Sequence, residues 1–340
     1  MVEALVFFIA ASLLLYILLG GSDFGAGILE LIPAKDRREK QKHTINRAMG
    51  PVWEANHIWL ILIVVILFMG FPPVFTKLMV ALHIPMIALL VGIVVRGTVF
   101  TFRHYDAIQE PVSQRAYTWL FGLSSLWSSY WLGVIAASLT RGTIPVRAEA
   151  FQEAYLDPWL GWYPASVGLF VSGIFCFLAS VFLIGESRDD ERLQEHFRHR
   201  AAAFNVAIIF LGALVFFASL GEQRSLATEF IGHPLALAAM IVATVLFVAL
   251  WVSMSREKVM LTRIVASGQV VLILFGWWII YRPNAIITTE GALTFYDAAA
   301  PEATLRQLLI ALVVGSLLIF PSLIFLLRVF KFTGSSEESE

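Results

Sequence analysis

GPVWEANHIWLILIVVILFMGF, residues 50–71, puts a carboxylic acid, an amide, an imidazole and two indoles at the mouth of an uninterrupted apolar run. The run is long enough to enter a bilayer as a helix. A carboxylate at such a place costs several kcal/mol, so Glu54 marks a functional position rather than a packing one. On a helix turning 100° per residue, Gly50, Trp53, Glu54 and His57 share a face, with Asn56 and Trp59 to the side. Glu54 and His57 are then neighbours three residues apart, able to exchange a proton directly or through one water. The plainer alternative is that Glu54 complements a helix dipole behind Pro51 at the first turn.

Outward from this stretch the whole chain reads the same way. Of 340 residues 59% are hydrophobic and 14% charged, which excludes an ordinary soluble domain. Nine segments reach spanning length: residues 3–32, 52–71, 74–99, 116–139, 162–184, 202–220, 233–254, 263–281 and 305–330. The expected fold is therefore an all-α polytopic membrane protein, one integral domain over residues 1–332 with an acidic, disordered tail at 333–340. The start, MVEA, lacks the basic region of a removable signal peptide. With the N-terminus outside, eighteen Lys and Arg fall in inner loops and six in outer ones, so the C-terminus is expected in the cytoplasm.

The polar chemistry gathers in the first four segments. GGSDFGAG, Gly20–Gly27, carries Asp23 among glycines. Gly21, Gly25 and Gly27 invite close approach of another helix, and with Trp53 and Trp59 they are candidates for helix packing or a partner interface. Arg96, near the inner end of segment three, either snorkels or pairs with an acid. The expected proton pathway comprises Glu54, His57, Asp23 and Asn56, all towards the inner side. The basic stretch 33–48 is sufficiently explained by attraction to an anionic leaflet. Gly70–Val74 is expected as a tight turn, with His83 about 12 Å inside segment three. His57 and His83 then lie at depths about 10 Å apart and cannot share one heme iron. There is no nucleotide-binding glycine motif, no Cys/His set with metal spacing, and only one cysteine, Cys176. No metal, catalytic residue or nucleic-acid partner is expected in this chain.

Several stretches together resemble subunit II of the cytochrome bd-type quinol oxidases, including the cyanide-insensitive branch. They are GGSDFGAG at 20–27, HTINRAMGPVWEANHIWL at 43–60, LFMGFP at 67–72, LVGIVVRGTVFTFR at 90–103, and GWWIIYRP…LTFYDAAAPEATLRQLL at 276–309. The resemblance implies nine helices as two four-helix bundles plus one peripheral helix, in a bacterial or archaeal plasma membrane. It implies a partner, subunit I, holding b- and d-type hemes and the quinol site, with small single-helix subunits in some members and a structural quinone in others. The complex oxidises quinol and reduces dioxygen to water with protons from the cytoplasm. The acid of the family's WEAN-like motif, here Glu54, belongs to that proton route. The further Asp that the family often carries at the start of its glycine motif is Gly20 here, leaving Asp23. The competing readings are a proton-coupled secondary transporter using Asp23 and Glu54 around a broken helix, and a scaffold without a proton role.

Overall fold

The computed structural model describes residues 1–49, 53–106, 110–222 and 224–332. The expectations for Gly50, for the side chains of Trp53 and Glu54, and for the tail at 333–340 lie outside the described residues.

The first span is α1 (Val2–Leu15), a π-helical turn (Tyr16–Gly20) and α2 (Gly21–Leu29) in one rod. Then come α3 (Arg38–Met49), α4 (Trp53–Gly70), α5 (Pro72–Ala81), α6 (His83–Tyr105), α7 (Pro111–Arg141) and the short α8 (Phe151–Tyr155). The second half is α9 (Trp162–Glu186), α10 (Glu191–Ser219), α11 (Leu226–Gly232), α12 (Pro234–Ser255) and α13 (Val259–Tyr281). A hairpin, β1 (Asn284–Thr288) and β2 (Gly291–Thr294), precedes α14 (Glu302–Phe332). Among the described residues eight helices are long and apolar enough to cross a membrane, and a bent pair over 55–81 makes a ninth.

Two bundles result. The α1–α2 rod, α4, α6 and α7 form one; α9, α10, α12 and α13 form the other. α9 joins them, packing on α2 and α7 as well as on α10 and α13. Small residues make this central position possible: Gly168, Ser172, Gly173, Ala179 and Ser180 let neighbouring backbones close in, and residues 172–181 are all buried. α14 lies outside against α4 and α1.

The expected tight turn at 70–74 and continuous third helix are not what forms. The axis turns 117° between α4 and α5, and a second break at Leu82 separates α5 from α6. Proline explains both. Pro72 drives Phe71 out of the helical region, and the freed Gly70 carbonyl accepts from the Ala300 N–H at 2.8 Å. Pro85 supplies no N–H to Ala81 and crowds its carbonyl, so α5 ends there. His83 consequently opens α6 at the end of the bundle instead of lying inside the span. Its Nδ1 meets the Val80 carbonyl at 3.0 Å and its ring meets Tyr155. That end also holds Phe71, Ile144, Ile286, Phe295 and the start of α1 in one apolar cluster.

The opposite end is more helical than the sequence suggests. The basic stretch folds into α3, pinned by Gln41. Gln41 accepts from the Ala34 N–H at 2.7 Å and donates to the Leu29 carbonyl at 2.9 Å, so it caps α2 and shapes the connecting loop. α10 starts well before its apolar run, because Asp190 caps it by accepting from the Leu193 N–H.

Candidate functional site

A single break in the first span organises the polar interior. At the π-helical turn Tyr16–Gly20, the Leu19 carbonyl accepts from Ser22 Oγ at 2.8 Å and from Asn56 Nδ2 at 3.5 Å. Such turns mark local irregularity that packing must sustain. The glycines of α2 then bring it against its neighbours. A side chain at Gly25 would collide with the Phe175 backbone carbonyl of α9, and one at Gly27 with Ser125 of α7. Gly21 faces the Phe175 ring. All three pack within this chain. Trp59 is buried against Phe320 of α14.

Asp23 and Arg96, expected separately from the sequence, meet. Arg96 donates to Asp23 Oδ1 at 2.6 Å, to the Asp23 carbonyl at 3.3 Å and, through Nε, to Ser125 Oγ at 3.0 Å. Asp23 is 1% exposed and Arg96 2%. The guanidinium lies between the Phe24 and Phe121 rings, 4.9 and 4.8 Å from their centroids. Desolvating this pair is expensive, and the added hydrogen bonds and aromatic faces offset that cost.

A second rung repeats the first. Glu30 accepts two bonds from Arg103, at 2.7 and 3.1 Å, and Arg103 also donates to Asn46 of α3. Arg103 also lies over the Phe121 ring, at 5.0 Å from its centroid. Both rungs join residues 73 apart in sequence, so α2 and α6 run parallel. Sequence reasoning missed Glu30 and Arg103. The signal was present as spacing: the acids are seven residues apart on one helix and the arginines seven apart on the other.

Above the Asp23–Arg96 pair lies a cluster with unused hydrogen-bonding capacity. Tyr16 Oη, Asp23 Oδ2 and His57 Nδ1 are buried without partners among the described residues. The Tyr16, Phe24 and His57 rings stand 6.0–6.3 Å apart. The charges of Asp23 and Arg96 act on both Tyr16 and His57. A side chain at Gly20 would rest on the Tyr16 ring, 3.2 Å away, and beside Asn56. Tyr16, another residue missed from sequence, thus fills the space next to Gly20. Asn56 and His57 reach this cluster from α4, and the same helix carries Trp53 and Glu54 at its start. His57 and His83 offer no joint axial site: 13 residues of α4, about 20 Å, separate His57 from the end where His83 lies.

Fold and site define a polytopic helical membrane protein whose buried polar groups, among the described residues, include ion pairs, amides, hydroxyls and imidazole nitrogens. Comparison with known proteins narrows the class. The family model for cytochrome bd terminal oxidase subunit II matches residues 1–330. The cytochrome bd ubiquinol oxidase subunit 2 of Bacillus subtilis (strain 168) is 24% identical over 242 residues, covering 71% of this chain and 69% of the relative. The bd oxidase structure from Geobacillus thermodenitrificans superposes with a TM-score of 0.77 at 20% identity, over 97% of this chain and 99% of that one. The chain belongs to the cytochrome bd terminal oxidase subunit II family. It is a component of an oxidoreductase complex, and the transporter reading is not favoured.

Proposed function

We propose that this chain is the heme-free subunit of a quinol-oxidising, dioxygen-reducing complex of the bacterial plasma membrane. It supports a heme-bearing subunit I and supplies protons from the cytoplasmic side. The N-terminus is outside, in keeping with the distribution of Lys and Arg. The b- and d-type hemes and the quinol site belong to subunit I; here the candidate histidines lie at opposite ends of the bundle.

The observation that carries the proton role is the cluster of buried, unpartnered polar atoms: Tyr16 Oη, Asp23 Oδ2 and His57 Nδ1. Buried polar atoms of a native protein are almost always satisfied, so three together suit water or a travelling proton. Arg96 holds Asp23 Oδ1, which leaves Oδ2 to accept. His57 can take a proton at Nδ1, where the Asp23 carboxylate favours the imidazolium that forms and the Arg96 guanidinium opposes it, so the charge is held only in passing. Tyr16 relays by donating and accepting through one hydroxyl, without ionising. It stands in for the acid that the family often has at the position of Gly20. Glu54, at the start of α4, is the entrance.

The test is turnover in the purified complex, with heme content measured alongside. Glu54→Gln keeps size and hydrogen bonding but carries no proton; it is expected to slow quinol oxidation at least about tenfold, roughly 1.4 kcal/mol of barrier. Glu54→Asp should retain more activity, and Tyr16→Phe should slow turnover with hemes intact. If Glu54→Gln and Tyr16→Phe both assemble normally and turn over at the wild-type rate, the proton role is wrong.

A further inference from the structure

The end of the first bundle where α3 lies contains a cleft of about 470 Å³ between α3 and the first turns of α7. Arg38 and Lys42 of α3 and Gln114 and Arg115 of α7 line it, with Glu30 and Glu39. Glu30 is already held by Arg103. Three cations therefore face one unpaired carboxylate, Glu39. Neither Arg38 nor Arg115 has an acidic partner among the described residues, and the Lys42 ammonium donates only to the neutral Gln114, at 2.8 Å. Elsewhere in the same region Arg37 and Lys40 share Asp190, and Arg47 pairs with Asp189. In the cleft, Arg38, Lys42 and Arg115 outnumber the carboxylate that faces them. Partial burial, helped by the positive charge of Arg103, pushes Lys42 below the ordinary lysine range.

Depth and surroundings specify what an anion there would be attached to. From Arg115 to Arg141, at the two ends of α7, the helix rises about 39 Å, which places both just outside a hydrocarbon core of about 30 Å, among the headgroups. From Arg115 an exposed apolar stripe continues along α7 through Trp119, Leu123 and Trp127, at steps of one helical turn. A charged cleft at headgroup depth therefore opens onto a surface suited to acyl chain.

We propose that this cleft is a specific site for an anionic phospholipid, its phosphate held by Arg38, Lys42 and Arg115 and an acyl chain lying along Trp119 and Leu123. Guanidinium groups hold phosphate oxygens in bidentate fashion, and the ammonium adds a point charge. This is a discrete site, distinct from diffuse attraction of the basic stretch to the leaflet, and it does not depend on the proton role of the chain.

The experiment uses the whole oxidase complex, delipidated in neutral detergent and titrated with phosphatidylglycerol, with bound lipid read by native mass spectrometry. Phosphatidylcholine and inorganic phosphate are the zwitterionic and free-anion comparisons. Arg38→Gln, Lys42→Gln and Arg115→Gln together are expected to weaken phosphatidylglycerol binding about a hundredfold, on the basis of about fivefold per cation. Arg256→Gln, on the same side of the molecule but outside the cleft, should leave it unchanged. Should the triple variant fail to assemble, Arg115→Gln alone, at an exposed position without an acidic partner among the described residues, should show the fivefold loss. Undiminished phosphatidylglycerol binding in the assembled variant would overturn the proposal. So would phosphatidylcholine binding equally well, or inorganic phosphate displacing the lipid at comparable concentration.

Discussion

Arg96→Met isolates the cost of the buried charge. The substitution removes the 2.6 Å contact to Asp23 Oδ1, the bond to Ser125 Oγ and the cation between two phenyl rings, while keeping an apolar stem of similar length. Ser125 remains satisfied through the Phe121 carbonyl at 2.7 Å, so the principal loss is at Asp23. A carboxylate left 1% exposed without its partner costs about 3–5 kcal/mol. Unfolding entropy of about 2.1 cal/mol/K per residue gives about 0.7 kcal/mol/K for a chain of 340 residues. The loss then lowers the melting temperature by about 4–7 °C. The assay is thermal unfolding of the purified complex, compared with Asp23→Leu combined with Arg96→Met. Removing both charges should recover most of the stability, because two apolar side chains replace a pair whose desolvation was itself unfavourable. The double variant should still turn over slowly if Asp23 stabilises a protonated His57. An unchanged melting temperature for Arg96→Met, or a double variant no more stable than the single, would refute the reasoning.

Gly25→Leu should be more damaging than a change at an open glycine such as Gly315, because its side chain meets the Phe175 backbone rather than a flexible tip. A loss of at least about 1–3 kcal/mol and reduced yield of complex are expected, read by thermal unfolding and by co-purification. Asp190 should make the α3–α10 contact acid-sensitive. The Lys40 hydrogen bond, with the Leu193 N–H and Arg37, holds its carboxyl below the ordinary aspartate value of 3.8. A depressed folded pKa means that the stabilisation is complete above the unfolded value and is lost as pH falls through the folded one. Acid unfolding should therefore begin at higher pH in wild type than in Asp190→Asn, which can still cap α10 but does not titrate, as judged by stability relative to each variant's own value at pH 7. The chain expressed without its partner should show no stoichiometric heme in a pyridine hemochrome assay; one heme per chain would overturn the assignment of hemes to subunit I.

Membrane-spanning character was legible because long apolar runs and their Lys/Arg flanks are set by the bilayer itself, whereas the two bundles were implied only by the family resemblance. Asp23 and Arg96 were legible as intramembrane charges. Pairing with an acid was one of the two fates read for Arg96; that the acid is Asp23 was not legible, since it depends on how α2 and α6 pack past α7. The break at Leu82 was readable from Pro85, yet hydropathy averaging carried the apolar run across it. Tyr16 escaped because a single tyrosine in an apolar helix looks like core; only the π-helical turn and Gly20 give its ring this position. The β1–β2 hairpin went unread in the connection after α13, where its two strands pair with each other and Ile144, far earlier in the chain, adds a bridge to Thr288.

The repeated offset of 73 residues between the two acid–arginine contacts has a mechanical meaning. One contact would let α6 pivot or slide on α2. Two, about 10 Å apart along parallel axes, fix translation and rotation together. A shift of one turn, about 5.4 Å, would strand four buried charges at once. The first bundle is therefore built as a stator, in which a piston stroke of α6 on α2 would break both buried ion pairs. For the same reason, insertions within 23–30 or 96–103 should be intolerable, whereas length changes in the connection between them leave the registration intact.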